Sequence, residues 1–202
     1  LSDKLTFSHY CEIIWFDSIK MNYYISISIN NSLSVRELRN KIKSNEYERL
    51  PEETKNKLIN KEKTNLMDFV KHPIKINSNG KEIVSEKVLH KLVLENLEYF
   101  LKELGNGFSF IGSEYKIKIG SNYNYIDLLL FNVVYNCYVV VELKVTELKK
   151  EHIGQIEVYM NYIDRNVRMV NHDKTIGCKK DNHFIMEYCS DKRIFSANYI
   201  TI

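Results

Sequence analysis

The spacing of apolar residues changes character near the middle of the chain, and that change divides it. Over residues 7–50 they recur at helical intervals. Tyr10, Ile13, Ile14 and Trp15 fall in an amphipathic stretch from Phe7 to Ile19, and Val35, Leu38 and Ile42 form a stripe among charges. Ser34-Val35-Arg36-Glu37 has the Ser-x-x-Glu form of a capping box, and the helix it starts runs towards Tyr47-Glu48-Arg49-Leu50 before Pro51. Ile25, Ile27 and Ile29 alternate with serines and asparagines, a period of two that fits a strand as readily as a helix. Residues 52–65, rich in Lys, Glu and Asn, read as a solvated helix or loop.

His72-Pro73 through Asn77-Ser78-Asn79-Gly80 interrupts the pattern and marks a linker. Beyond it, Ser85 to Leu104 predicts one helix, with Val88, Leu89, Leu92, Leu97, Leu101 and Leu104 as its stripe and Gly105 as its C-cap. Period-two and continuous apolar runs then predict strands at about 113–119, 124–131 and 137–145. A helix at about 150–164 follows, then strands near 183–189 and 194–201. This order predicts an α/β fold, a mixed central sheet flanked by helices and preceded by a small, mainly helical domain. The expected division is 1–72 helical domain, 73–84 linker and 85–202 sheet domain, with no internal repeat.

Composition narrows the class without naming it. The 202 residues are 44% apolar and 27% charged, ordinary for a globular protein, and 7 Gly with 2 Pro exclude a loop-dominated chain. A net charge of +3 permits a polyanionic partner. Cys11, Cys137, Cys178 and Cys189 form no C-x-x-C pair, and no apolar run reaches the length of a membrane span. A reduced, cytoplasmic setting is the simplest expectation. His172, Cys178, His183 and Cys189 match no common zinc spacing. The start at Leu1 rather than Met suggests a fragment.

The chemistry concentrates where acids interrupt apolar strands. Asp127 stands within Tyr125-Ile126-Asp127-Leu128-Leu129, and Glu142 and Lys144 stand at the end of Val139-Val140-Val141-Glu142-Leu143-Lys144. Two residues apart on a strand, Glu142 and Lys144 share a face. An acid buried there is costly unless a cation or hydrogen bonds satisfy it. Phosphodiester hydrolysis requires neutralised phosphate charge and an activated water, and Mg2+ (or Mn2+) held by one or two carboxylates supplies both. Asp127, Glu142 and the Leu143 carbonyl are the candidate metal ligands, with Lys144 beside the reacting phosphate. Gln155 and Tyr159, four apart, share a helix face and form candidate support for the site. The plainer alternatives are a surface ion pair and a half-buried polar pair. Lys116, Lys118, Lys149, Lys150, Arg165 and Arg168 are candidate nucleic-acid contacts around this centre.

Asp127, Glu142-Leu143-Lys144 and Gln155-x-x-x-Tyr159 resemble the PD-(D/E)XK nuclease core with the helix motif of its RecB-like branch. Phe100 to Phe108, Tyr125 to Leu129, Val141 to Lys144 and Gly154-Gln155 are more specifically similar to the bacterial YhcG-type nuclease family. Ser8-His9-Tyr10, Ser34 to Arg39 and Tyr47 to Leu50 are similar to that family's N-terminal helical domain. The resemblance implies a restriction-endonuclease-like fold, a divalent cation, and nucleic acid, preferably DNA, as substrate. In that pattern an acid from the first core helix often joins the metal. The matching position here is His90, with Glu86 one turn earlier and Glu95 nearby as other candidates. An imidazole near the metal favours manganese over magnesium. The apolar strand before Cys178-Lys179-Lys180 is also shorter than the family's. These departures keep open an alternative function, a nucleic-acid-binding protein that has lost catalysis. The helical domain, with Arg36, Arg39, Lys41 and Lys43, suits a helix-turn-helix-like module, homo-oligomerisation or a protein partner.

Overall fold

The structure, a computed structural model, describes residues 4–62, 68, 70–71, 73–78, 80, 82–145, 150–179, 193–196 and 199–201. The chain forms two compact units, Leu1–Phe69 and Val70–Ile202.

The first unit holds α1 (Phe7–Ile13), α2 (Ser18–Asn30), α3 (Val35–Lys43) and α4 (Glu52–Asn60). The single helix expected from Phe7 to Ile19 is thus two. Asp17 opens a new one by accepting hydrogen bonds from the Ile19 and Lys20 amides, both at 3.0 Å. The isoleucine alternation at 25–29 lies inside α2, not in a strand. Tyr23, Tyr24 and Ser28 are its buried residues, and their burial at helical spacing overrides the β preference of the isoleucines. Tyr23 and Tyr24 pack with Ile13, Leu38 and Leu50 into the core of this unit. The capping box at Ser34 and Glu37 is formed.

In the second unit a five-stranded sheet has the order β2-β3-β4-β5-β6. Its strands are β2 (Phe108–Ile119), β3 (Asn122–Asn132), β4 (Cys137–Val141), β5 (Ile176–Lys179) and β6 (Ile194–Ser196). The first three run antiparallel through hairpins, while β4–β5 and β5–β6 are parallel. The parallel step from β4 to β5 needs a crossover, which α7 (Lys150–Asn166) supplies. The strand expected over 137–145 ends at Val141, so Glu142 and Lys144 lie just past its regular part. The Glu142 amide nevertheless still donates to the Cys178 carbonyl at 3.2 Å. The helix expected over 85–104 is broken at Asn96 into α5 (Glu86–Glu95) and α6 (Leu97–Leu104). Asn96 has φ −122° and ψ 37°, and its side-chain amide turns back to donate to the Leu92 carbonyl at 3.1 Å. β1 (Ile74–Ile76) falls within the stretch 73–84 and pairs in parallel with β7 (Tyr199–Thr201). The stretch expected as one strand at 194–201 therefore belongs to two sheets, and the strand expected near 183–189 lies outside the described residues.

Helix α7 lies against the sheet through Ile156, Tyr159, Met160 and Ile163, which pack with Leu129, Val140 and Ile194. Gly177 on β5 permits this approach. A Cβ built there would come within 2.7 Å of Met160 Sδ and 2.9 Å of Ile156 Cδ1. Among the described residues, no helix is long and apolar enough to cross a membrane.

Candidate active site

Sequence dictates the framework of this corner: an apolar hairpin, β3–β4, whose register pairs Leu128 with Val141. Continuing that register by one residue places Asp127 opposite Glu142, as cross-strand neighbours do. The Leu143 amide donates to Asp127 Oδ2 at 2.7 Å, so the segment leaving β4 is fastened directly to the acid of β3. Glu142 is only 4% exposed, and its Oε1 is closed off from solvent. Beside it opens a cavity of about 30 Å³, lined by Val141, Glu142, Leu143, Lys144 and the apolar Ile74 and Cys178. That volume suffices for a water-sized group.

Lys144 faces the same corner with its side chain 14% exposed, and its ammonium donates to Glu86 Oε2 at 3.0 Å. Glu86 opens α5, so this contact ties the helix to the segment after β4. One turn on, His90 Nε2 lies 3.1 Å from the Asp127 carbonyl oxygen. A carbonyl can only accept, so Nε2 carries the proton, and in the neutral ring Nδ1 holds the lone pair. On α7, Gln155 Nε2 donates to Tyr159 Oη at 2.7 Å. Tyr159 is 3% exposed, and its own hydroxyl proton stays available for donation.

These groups act on one another electrostatically. Burial raises the Asp127 carboxyl above the ordinary aspartate range, against the Leu143 amide and the charges of Lys144 and His90, which pull it down. Burial works to lower Lys144. The Glu86 hydrogen bond and the charges of Glu86, Glu142 and Asp127 outweigh it, so the ammonium is held above the usual lysine range. Tyr159 is raised by burial first, and then by Glu142 and Asp127, with Gln155 and Lys144 opposing. Asp127, Glu142, Lys144, Glu86, His90 and Tyr159 thus share one charged corner.

Other candidates lie elsewhere. Glu95 pairs with Lys91 at 3.8 Å, five residues beyond His90 and off its helical face. Arg165 sits in the last turn of α7 and Arg168 two residues past its end, ten and thirteen residues from Gln155. Arg168 Nη1 donates to the His172 carbonyl at 2.6 Å, and its Nε lies 3.3 Å from Asp164 Oδ1. Lys116 and Lys118 are exposed on β2. Lys149 and the side chain of Lys150 lie outside the described residues, as do His183 and Cys189. Arg39 of the helical unit is engaged by Glu12, and Lys41 by Glu46. Glu86, one of the three alternatives for a further metal ligand with His90 and Glu95, accepts from Lys144 here. The i, i+4 spacing of Glu86 and His90 was the signal that both face the sheet.

Among the described residues, no three His, Cys, Asp or Glu side chains are grouped to hold a metal. The two carboxylates, Asp127 and Glu142, still fit a magnesium-type ion, which keeps several waters and takes one or two protein carboxylates. The family profile described as the YhcG PDDEXK nuclease domain matches residues 67–202. A relative from Escherichia coli (strain K12), carrying the name "Putative nuclease YhcG", is 28% identical over 119 residues, which is 59% of this chain and 30% of that protein. No solved structure matches the chain. The α/β fold, with a mixed sheet flanked by helices and a helical unit preceding it in the chain, agrees with the profile match, and the chain belongs to the YhcG family of PD-(D/E)XK nucleases.

Proposed function

We propose that this chain is a divalent-metal-dependent nuclease that hydrolyses phosphodiester bonds, with DNA as its substrate. The observation that carries this is the convergence of Asp127, Glu142 and Lys144 at the end of an apolar hairpin, where the Leu143 amide binds Asp127 and both carboxylates act on the Lys144 ammonium. Acids in an apolar hairpin are costly unless hydrogen bonds or a cation satisfy them, and shifted titratable groups gathered beside a cavity are the pattern of a functional site.

Asp127, Glu142 and the Leu143 carbonyl would hold Mg2+ or Mn2+, which neutralises phosphate charge and makes a water nucleophilic at neutral pH. The Leu143 amide fixes the orientation of Asp127, leaving its Oδ1 for the cation. Glu86 keeps Lys144 protonated and aimed along this edge, where its charge opposes that growing on the phosphate. Tyr159, oriented by Gln155, can donate its hydroxyl proton to a phosphate oxygen or a bound water. His90 anchors the backbone of Asp127 through Nε2 and offers Nδ1 as a nitrogen donor, which supports a preference for manganese.

The test is cleavage of plasmid and linear DNA with magnesium or manganese. Glu142→Ala is expected to lower the rate about 1,000-fold and Lys144→Ala about 100-fold, the range seen when groups stabilising developing charge are removed. Intact DNA in both metals, with binding retained by the folded protein, would transfer the chain to the silent binders. Equal rates in the two metals would remove the role given to His90.

A further inference from the structure

Strand β3 approaches Asp127 through Tyr123 and Tyr125, which stand 55% and 53% exposed. The register pairs Tyr123 with Lys118 and Tyr125 with Lys116 on β2. Cross-strand partners share a face, so four side chains, two aromatic and two cationic, occupy one side of the hairpin. The opposite side is packed. Ile117 and Ile126 belong to the core, with Tyr115 and Ile119 against it. Pairing of β3 with β4 begins only at Leu128, so this part of the hairpin extends past β4. Lys116 Nζ lies over the Tyr123 ring, 3.9 Å from its centre, and Lys118 Nζ 5.9 Å from it. Tyr123 thus carries a cation on its face and would stack a base on the other face or after Lys116 turns to a phosphate.

From this face we infer that the hairpin is a binding platform for single-stranded nucleic acid, leading the strand to the carboxylates. The inference rests on the nuclease reading for the fate of the bound strand, but binding itself does not. Two exposed tyrosines side by side on one strand make a contiguous aromatic surface, of the kind that marks an interaction site. An aromatic ring recognises the face of a base, and duplex bases show only their edges in the grooves. Residues two apart on a strand are separated by about 6.8 Å, twice the rise between bases along a B-DNA strand. The two rings therefore suit successive unstacked bases and not the stack of a duplex. Lys116 and Lys118 lie where the phosphates between such bases would pass, and Tyr125 is two residues from Asp127 on the same strand.

Binding is measured by fluorescence anisotropy with labelled oligothymidylate of about 16 nucleotides and a blunt duplex of the same length, in chelator so that nothing is cut. The wild type is expected to prefer the single strand. Tyr123→Val and Tyr125→Val, which keep β propensity, should each weaken single-strand binding about tenfold and leave duplex binding unchanged. Tyr123→Phe and Tyr125→Phe keep the ring face and should bind as wild type. Lys116→Gln with Lys118→Gln should flatten the salt dependence by about one to two units of slope. Wild-type single-strand affinity in both valine variants, confirmed as folded by their melting curves, overturns the platform, as does equal loss for duplex and single strand. Tyrosine-dependent binding without cleavage in any metal upholds the platform while removing the nuclease reading. Cleavage with tyrosine-independent binding does the reverse.

Discussion

Asp127 and Asp164 are both half-buried acids of the nuclease unit, and they are treated in opposite ways. Asp164, near the C-terminus of α7, has a side chain only 7% exposed. Its Oδ1 accepts from the Thr175 amide at 2.9 Å and the Thr175 hydroxyl at 2.7 Å, and its Oδ2 accepts from Arg193 at 2.9 Å. Arg168 lies 3.3 Å away, and Lys174 3.9 Å. The acid is surrounded by donors and latches the end of the helix to the starts of β5 and β6. Asp127 receives one backbone amide on Oδ2, its neighbour across the hairpin is another acid, and Lys144 is engaged by Glu86. The difference separates a structural carboxylate, neutralised by its own fold, from one with few donors of its own, as the proposed metal site requires. Proximity to a helix or burial alone would not have told them apart.

Substitution sharpens the contrast most at Asp127. Asp127→Asn keeps an oxygen for the Leu143 amide but loses the charge, and cleavage is expected to fall about 1,000-fold. Stability should move the other way. Burial raises the Asp127 pKa, so the folded state holds this proton more tightly than the unfolded chain does. The stabilisation is complete below the unfolded pKa and is lost as pH rises through the folded one. Asp127→Asn should therefore melt no lower than wild type at neutral pH in chelator, its advantage shrinking as pH falls through the ordinary aspartate range. A variant that melts well below wild type at neutral pH would show Asp127 to be structural after all.

Asp164→Ala is the mirror experiment. Removing one partner from a buried ion cluster strands the others, and the expected loss is about 2–4 kcal/mol of stability in denaturant unfolding. Cleavage per folded molecule should stay near wild type at temperatures where the variant remains folded. A selective loss of activity with unchanged unfolding would reverse the two roles.

The smallest effect joins both ends of α7. Gly177→Ala would push a methyl group against Met160 and Ile156, at a cost of about 1–2 kcal/mol, because both side chains are fully buried yet contact it through their tips. The same push moves the turn that carries Gln155 and Tyr159, so a few-fold drop in cleavage should accompany the loss of stability. An unchanged melting curve would show that the helix and sheet have slack at this contact.

Local patterning made the hairpin of β3 and β4, helix α7, the capping box at Ser34 and the acids out of place in apolar strands readable, because each is a period or a breach of one within a few residues. The break at Asn96 was not readable. The apolar stripe continues across it, and the side chain that turns back to Leu92 is polar in any setting. Nor was the helical state of Ile25, Ile27 and Ile29, where local β preference yields to burial of Tyr23 and Tyr24 against Leu38 and Leu50. Sequence placed Asp127, Glu142, Lys144, Gln155 and Tyr159 near one another, yet it left Glu86 and His90 among several acids and bases of one helix. Only the packing of α5 against the hairpin gave Glu86 to Lys144 and His90 to the Asp127 carbonyl. The residue types and their intervals fix which groups can meet within an element. Which groups do meet across 37 or 58 positions of chain depends on the docking of whole elements, a sum over many apolar contacts that no single interval encodes.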